Sequence, residues 1–283
     1  MSKLERLEQI TTWKRALNAA RKTIGKKPLS HEPTGAWESK MILAEHSPIR
    51  LVEYDWSWSE IKTWVTTHLV RHHEGCEKFV HSQRTDRRDM PEGVETRDDL
   101  PQGSLNEMDM TANVQAIINI SRKRLCSCAS QETREAWGQV IEGIEKIDPI
   151  LASKCVPECL YRGFCPEFMG SCGYSGSTSF KKRLVEYRRP YEELEWKDVP
   201  GRPGIQVAQN GRLHDFAADL ELTTREDEYG NLHWGELYPA VLVYFLYCDH
   251  PAEITLESLA PEMIKHKDGN RINCWPDNLC LRD

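Results

Sequence analysis

Four arginines, Arg71, Arg84, Arg97 and Arg124, fall where patterned segments give way to polar ones. Converging guanidinium groups offer paired N–H donors to a phosphate and to the carbonyls of a planar base, a fit that lysine does not match. Spacing alone reads the set as a phosphate site, with solvated or carboxylate-paired arginines as the plain alternative. Cys155, Cys159, Cys165 and Cys172 lie in a Gly-rich segment downstream of Cys126 and Cys128. They read as free or buried thiols by default, and as a four-thiolate tetrahedral zinc site in the sharper reading. The terminal run Ile264 to Leu279 holds His266, Asp268, Asn270, Asn273 and Asn278. An imidazole base beside oxygen ligands suits metal-assisted hydrolysis, whereas Asp-Gly and Pro-Asp-Asn turns are equally able to hold a small fold.

Periodicity predicts the elements that position these groups. Leu4, Leu7, Ile10, Trp13 and Leu17 are three or four apart, which predicts a helix reaching Thr23. Residues 40–45 read as helical up to Ser47-Pro48, and 50–54 as a strand. Ile61, Trp64, Val65 and Leu69 predict a helix over 57–69 that delivers Arg71-His72-His73. Residues 84–101 read as an exposed loop, and helices are predicted over 110–125 and 131–147, with Ser130 as N-cap and Asp148-Pro149 as a stop. The charged stretch 181–203 reads as a connector, followed by short strands, a turn at Asn210-Gly211 and the apolar run Tyr238 to Cys248. The expectation is an α+β chain with domains at 1–185 and 204–283, joined by a linker at 186–203.

At 283 residues, with 39% hydrophobic and 29% charged residues, the composition excludes a disordered chain. A net charge of -7 excludes a generally basic nucleic-acid or membrane coat. Apolar runs fall short of a membrane span, and the first residues lack a signal peptide's apolar centre, so the expected setting is cytoplasmic with reduced cysteines. From Trp196 onward there are 8 Lys+Arg against 15 Asp+Glu. Such a segment is a poor general DNA binder, and anion recognition is expected in the neutral part that precedes it.

Residues 15 to 150 resemble the flavin-dependent thymidylate synthases. Ala19-Ala20-Arg21-Lys22-Thr23 matches that family's early Ala-Ala-Arg-x-Ser stretch, and Ser47-Pro48 its Ser/Thr-Pro element. Arg97-Asp98-Asp99-Leu100-Pro101 matches R-x-x-L-P; Asn113, Asn119 and Arg124 match N-x5-N-x4-R, and Glu132 follows in its place. The central signature R-H-R-x-x-S-x-N-E-x-S-x-R is partly kept from Arg71 to Arg84, its closing S-x-R falling on Ser82-Gln83-Arg84 after one inserted residue. His73 replaces its second arginine, the Asn-Glu pair is missing, and Gln115 stands where the family has arginine.

The resemblance implies helices packed on a mixed sheet and a homotetramer binding FAD and dUMP at sites shared between subunits. Arg71, Arg84, Arg97 and Arg124 would hold dUMP, Arg97 from a neighbour; Thr23, Ser47, His72, His73, Asn113 and Asn119 would line the flavin. Methylenetetrahydrofolate would supply the one-carbon unit and NADPH the electrons, with Arg124 and Ser82 as catalytic candidates.

The run His266-Lys267-Asp268-Gly269-Asn270 through Asn278-Leu279 resembles phage-type HNH modules of the ββα-metal kind. That resemblance implies His266 as base, with Asp268 and Asn278 as ligand candidates. Lys265 stands where an acidic ligand is common, and Ala240-Val241 where a His-Arg pair is usual. Such a fusion implies a viral or mobile-element setting. The expected activity is dUMP methylation; the alternatives are a silent nucleotide-binding scaffold, and modification of uracil in, or nicking of, a polynucleotide.

Overall fold

Glu53–Lys62 (β2) alternates buried Tyr54, Trp56 and Trp58 with polar Asp55 and Ser57, the pattern of a strand with one wet face. In the computed structural model, which describes residues 2–168 and 170–282, β2 is a central strand of an antiparallel sheet ordered β1-β2-β4-β3. Its partners are Lys3–Gln9 (β1), Cys76–Val80 (β3) and Leu105–Asn113 (β4). Trp56 faces Met110 and Tyr54 faces Ala112 across the β2–β4 ladder. All pairings in this sheet are antiparallel, which corrects the expectation of a mixed sheet.

The helices are Trp13–Thr23 (α1), Gly35–Leu43 (α2), Thr63–Leu69 (α3), Val114–Arg124 (α4), Gln131–Glu145 (α5), Pro149–Lys154 (α6) and Glu158–Arg162 (α7). Trp137 of α5 meets Trp56 edge-on at 5.8 Å and donates Nε1–H to Ser121 of α4 at 3.0 Å, joining sheet and helices in one core. Asp148 caps α6 through Leu151 N–H and accepts from Trp13 Nε1 and Tyr54 Oη, each at 2.7 Å.

Three predicted helices are corrected. Residues 3–9 form β1, where a β-bulge between Leu4 and Arg6 turns Leu4 and Leu7 to the same side. A second bulge between Trp58 and Ile61, with Glu60 at φ 55°, does the same for that pair, so the predicted helix over 57–69 is strand up to Lys62. The helix predicted over 110–125 begins only at Val114, because Asn113 ends β4 and caps α4 through Ala116 N–H. The strand read at 50–54 begins at Glu53, after a 3-10 turn over Ser47–Leu51.

The chain divides into two compact units, Met1–Cys172 and Gly173–Asp283, earlier than the boundary read at 185. In the second, Thr178–Arg188 (α8) is capped by Ser177 and ties Thr178 and Lys181 to Glu226. A four-stranded antiparallel sheet follows: Trp196–Asp198 (β5), Ile205–Ala208 (β6), Leu213–Asp215 (β7) and Leu220–Leu222 (β8). The stretch read as a connector thus carries α8 and β5. The expected turn at Asn210-Gly211 joins β6 to β7, and Gly211, at φ +83°, lies where a Cβ would come within 2.7 Å of Cys274.

Arg225–Glu226 (β9) and Leu232–His233 (β10) make a small hairpin, and the apolar run forms Pro239–Tyr247 (α9). Ile264–His266 (β11) and Leu279–Leu281 (β12) pair antiparallel against α9. No helix among the described residues is long and apolar enough to cross a membrane.

Candidate functional site

In the first unit, the turn from Val70 to Gly75 carries the chain from α3 into β3 and lies against α4. Asn113 N–H donates to Gly75 O at 2.9 Å, and a Cβ on Gly75, at φ +69°, would stand 2.6 Å from the Asn113 carboxamide. At the other end of α4, Arg124 donates Nε–H to His72 Nε2 at 2.9 Å and an Nη2 proton to His68 O at 2.6 Å. A guanidinium is always a donor, so His72 Nε2 carries the lone pair and Nδ1 the proton. Lys78 of β3 donates to His72 O.

Burial first, then the charges of Arg124, Lys78 and His73, push the His72 imidazole down to about 4, which keeps it neutral. Burial and Arg71 lower Arg124; burial, Arg124 and Arg71 lower His68. Arg71, Lys78 and Arg124 have no carboxylate partner among the described residues. Arg124 and Lys78 therefore border one neutral imidazole, and Arg71 lies near enough to Arg124 and His68 to lower both, a group suited to an anion.

The other predicted anion ligands lie elsewhere. Arg84 is exposed and holds Asp86 through Nε and Nη2 at 2.9 and 2.8 Å, and exposed Arg97 lies 3.7 Å from Asp98. Ser82 Oγ accepts from Arg84 N–H at 3.3 Å. These contacts belong to the predicted exposed loop, whose only helical piece among the described residues is a 3-10 turn at Arg97–Asp99.

Of the residues assigned to a flavin, Thr23 and Ser47 are exposed, Thr23 Oγ1 bonding Ala20 O and Ser47 opening a turn packed on α1 and α4. His73 is exposed beside His72. The Asn113 carboxamide oxygen caps α4, and the Asn119 oxygen accepts from Gln115 and from Arg122 at 3.1 Å. Glu45, at φ 47°, ion-pairs with Arg122 and accepts from Gln115, so Gln115 joins a carboxylate network. Sequence reasoning missed Lys78, His68 and Glu45. Lys78, two residues beyond Cys76 on a short strand, carried a usable signal as the first lysine or arginine after Arg71, inside the signature stretch.

Cys155 is fully buried in the apolar core, among residues that include Ala152, Leu151 and Ile144, and bonds Ser121; the cysteine grouping instead gathers Cys126 and Cys128. This corrects its place in the zinc set.

In the second unit, His266 is buried on β11 with Nε2 unpartnered, and burial lowers its pKa. Asp268 accepts from Asn270 N–H, from Asn273 Nδ2 at 2.7 Å and from Asn278 Nδ2 at 2.9 Å, while Asn278 Oδ1 accepts from Asp268 N–H. The two candidate ligands are hydrogen-bonded to each other and to the loop.

No protein-family model and no curated protein matches the chain. Solved structures similar to it include a UMP/dUMP methylase, PolB from Streptomyces cacaoi, bound with 5-Br dUMP. It is 13% identical with a TM-score of 0.43, covering 54% of this chain and 93% of that one. Another is the HNH homing endonuclease I-HmuI, 25% identical with a TM-score of 0.26, covering 31% of this chain and 52% of that one. Both likenesses are partial and of low identity.

Proposed function

We propose that the first unit binds a pyrimidine nucleotide and methylates its base in the manner of the flavin-dependent thymidylate synthases. The observation that carries this reading is the cluster of Arg124 and Lys78 at a neutral His72 with Arg71 close to Arg124, none of the three paired with a carboxylate among the described residues. Like charges placed together cost folding energy that an incoming phosphate recovers.

Arg71 and Lys78 take the phosphate in this reading. Arg124, already fixed through His72 and the His68 carbonyl, faces the charge that builds on the pyrimidine ring. His72 orients Arg124 and presents its Nδ1–H. Flavin, when bound, would supply hydride, and methylenetetrahydrofolate the carbon unit. The exposed Ser47 and His73, with His72, are the side chains that fit a flavin; Asn113 and Asn119 are already engaged within the chain. Arg97, exposed on its loop, would be offered to a neighbouring copy in a tetramer. A nucleotide-binding protein without turnover is the second reading, favoured by the engagement of Asn113 and by His73 in place of arginine.

Purified full-length protein decides between them. Methylation predicts a yellow flavin spectrum that changes with dUMP, and tritium release from 5-labelled dUMP given methylenetetrahydrofolate and NADPH. Binding of dUMP with neither signal leaves the second reading, and no binding of dUMP defeats both. In the second unit, the engagement of Asp268 and Asn278 supports a folding role over strand cleavage.

A further inference from the structure

Just beyond Arg124, the Cys126 and Cys128 thiols and the Glu167 carboxylate bring their ligand atoms within 4.8 Å of one another. The neighbouring elements carry further thiols to the same place. Lys123 of α4 pairs with the buried Glu158 of α7 at 3.1 Å, and the Arg122 guanidinium stacks 3.5 Å over Tyr161. These two ties dock α7 on the end of α4 and set Cys159 near Cys126. Gly163 then ends α7 at φ 82°, its N–H bonded to Cys159 O at 2.8 Å, and the reversed chain carries Cys165 back toward Cys159.

The electrostatics report the same neighbourhood. Burial, then the Cys126 and Cys165 thiols, push Cys159 up; Cys126, then burial, Glu167 and Cys172 push Cys128 up. Packing does not explain the loop. The described residues of 164–172 form no helix or strand, and Phe164 and Phe168 are 58% and 91% exposed.

We propose that Cys126, Cys128, Cys159 and Cys165 bind one zinc ion, with Glu167 and Cys172 beside it. Zinc–sulfur bonds of about 2.3 Å in a tetrahedron place the sulfurs about 3.8 Å apart, so Cys126 and Cys128, grouped within 4.8 Å, need close by no more than about 1 Å, while Cys159 and Cys165 move in from the adjoining α7 and its loop to complete the set. The four-thiolate set selects a soft, thiophilic cation over magnesium or calcium. Binding releases the thiol protons and exchanges a loop without a core for a cross-linked one. The ion would also fasten the end of α4, two residues after Arg124. This inference stands independently of the nucleotide reading.

The test is metal content of the full chain purified with reduced thiols and reconstituted with zinc, then with cobalt. One zinc per chain is expected, and the cobalt form should show an intense near-ultraviolet thiolate-to-cobalt band with the visible bands of a tetrahedral sulfur site. Cys126→Ser and Cys159→Ser should lose stoichiometric metal, while Cys155→Ser keeps it. A metal-free wild type, a disulfide among these four cysteines after reduction and reconstitution, or metal lost in Cys155→Ser but kept in Cys126→Ser overturns the proposal. If the serine variants fail to fold, the wild-type cobalt spectrum decides alone.

Discussion

Arg124 and His72 are joined by a 2.9 Å hydrogen bond in which the imidazole accepts. The bond holds only while His72 is neutral, because a protonated imidazole has no lone pair for the guanidinium.

Stability and nucleotide affinity should respond to acid through this pair. The folded-state pKa of His72 is depressed to about 4 from an ordinary 6.5. The unfolded chain therefore binds a proton first as pH falls, so stability from this group is full above 6.5 and is lost as pH drops toward 4. The His72 ring signals followed by NMR should titrate near pH 4, and His72→Gln should flatten the acid limb of the melting temperature. Titration of His72 near 6.5 would contradict the arrangement.

Removing the guanidinium should weaken dUMP binding. Arg124→Gln is expected to raise the dissociation constant roughly tenfold to a hundredfold, as for loss of a charged hydrogen bond worth about 1.5–3 kcal/mol. Calorimetric titration measures it. Arg21→Gln, at an exposed turn of α1 whose guanidinium bonds Lys27 O, should bind as the wild type does.

Gly75 sits where both backbone and space demand glycine. Gly75→Ala places a methyl 2.6 Å from the Asn113 carboxamide at φ +69°, and should cost about 1–3 kcal/mol while disturbing the turn that carries His72. Gly93→Ala has φ +81° but nothing within 4 Å, and should cost only the backbone strain, about 1 kcal/mol. Equal losses in chemical denaturation would mean that the Asn113 contact is irrelevant.

Glu38 predicts a decline in the opposite pH direction. Burial, then the neighbouring Asp148, pushes its carboxyl up to about 9 from 4.5. The protonated form is the native one, so its contribution is full below pH 4.5 and fades as pH rises through 9. Glu38→Gln should flatten the dependence of unfolding free energy on pH across that window. An unchanged slope would place the titration elsewhere.

Asp268 should prove to be a folding residue. Asp268→Ala removes the acceptor of three hydrogen bonds and should destabilise the second unit by about 1–3 kcal/mol, with magnesium giving no thermal shift in the wild type. A magnesium-dependent rise in melting temperature, abolished by Asp268→Ala, would restore it as a metal ligand.

What could be read from the sequence divides along identifiable physics. The helix at Gln131–Glu145 and the loop over residues 84–101 were legible because one is long and periodic and the other is dense in charge. The strands β1 and β2 were not, because each bulge inserts one residue and sets core-facing side chains three apart, as a helix does: half-buried Leu4 with Leu7, and buried Trp58 with Ile61. Arg71 and Arg124 were found and lie close enough that the Arg71 charge lowers Arg124, but Lys78 joins them only because β3 folds back beside the turn at His72. Cys155 looked equivalent to its neighbours because spacing carries no burial.

The pairing of Arg84 with Asp86 has a bearing on any anion that comes to the loop. That guanidinium already has a tenant, so a phosphate arriving there must evict a carboxylate and leaves the local charge much as it was. Capture at Arg71, Lys78 and Arg124 displaces no such resident. Added salt should therefore erode the second kind of contact far more steeply than the first, and the ionic-strength slope becomes a way of telling which arginines a bound nucleotide has reached.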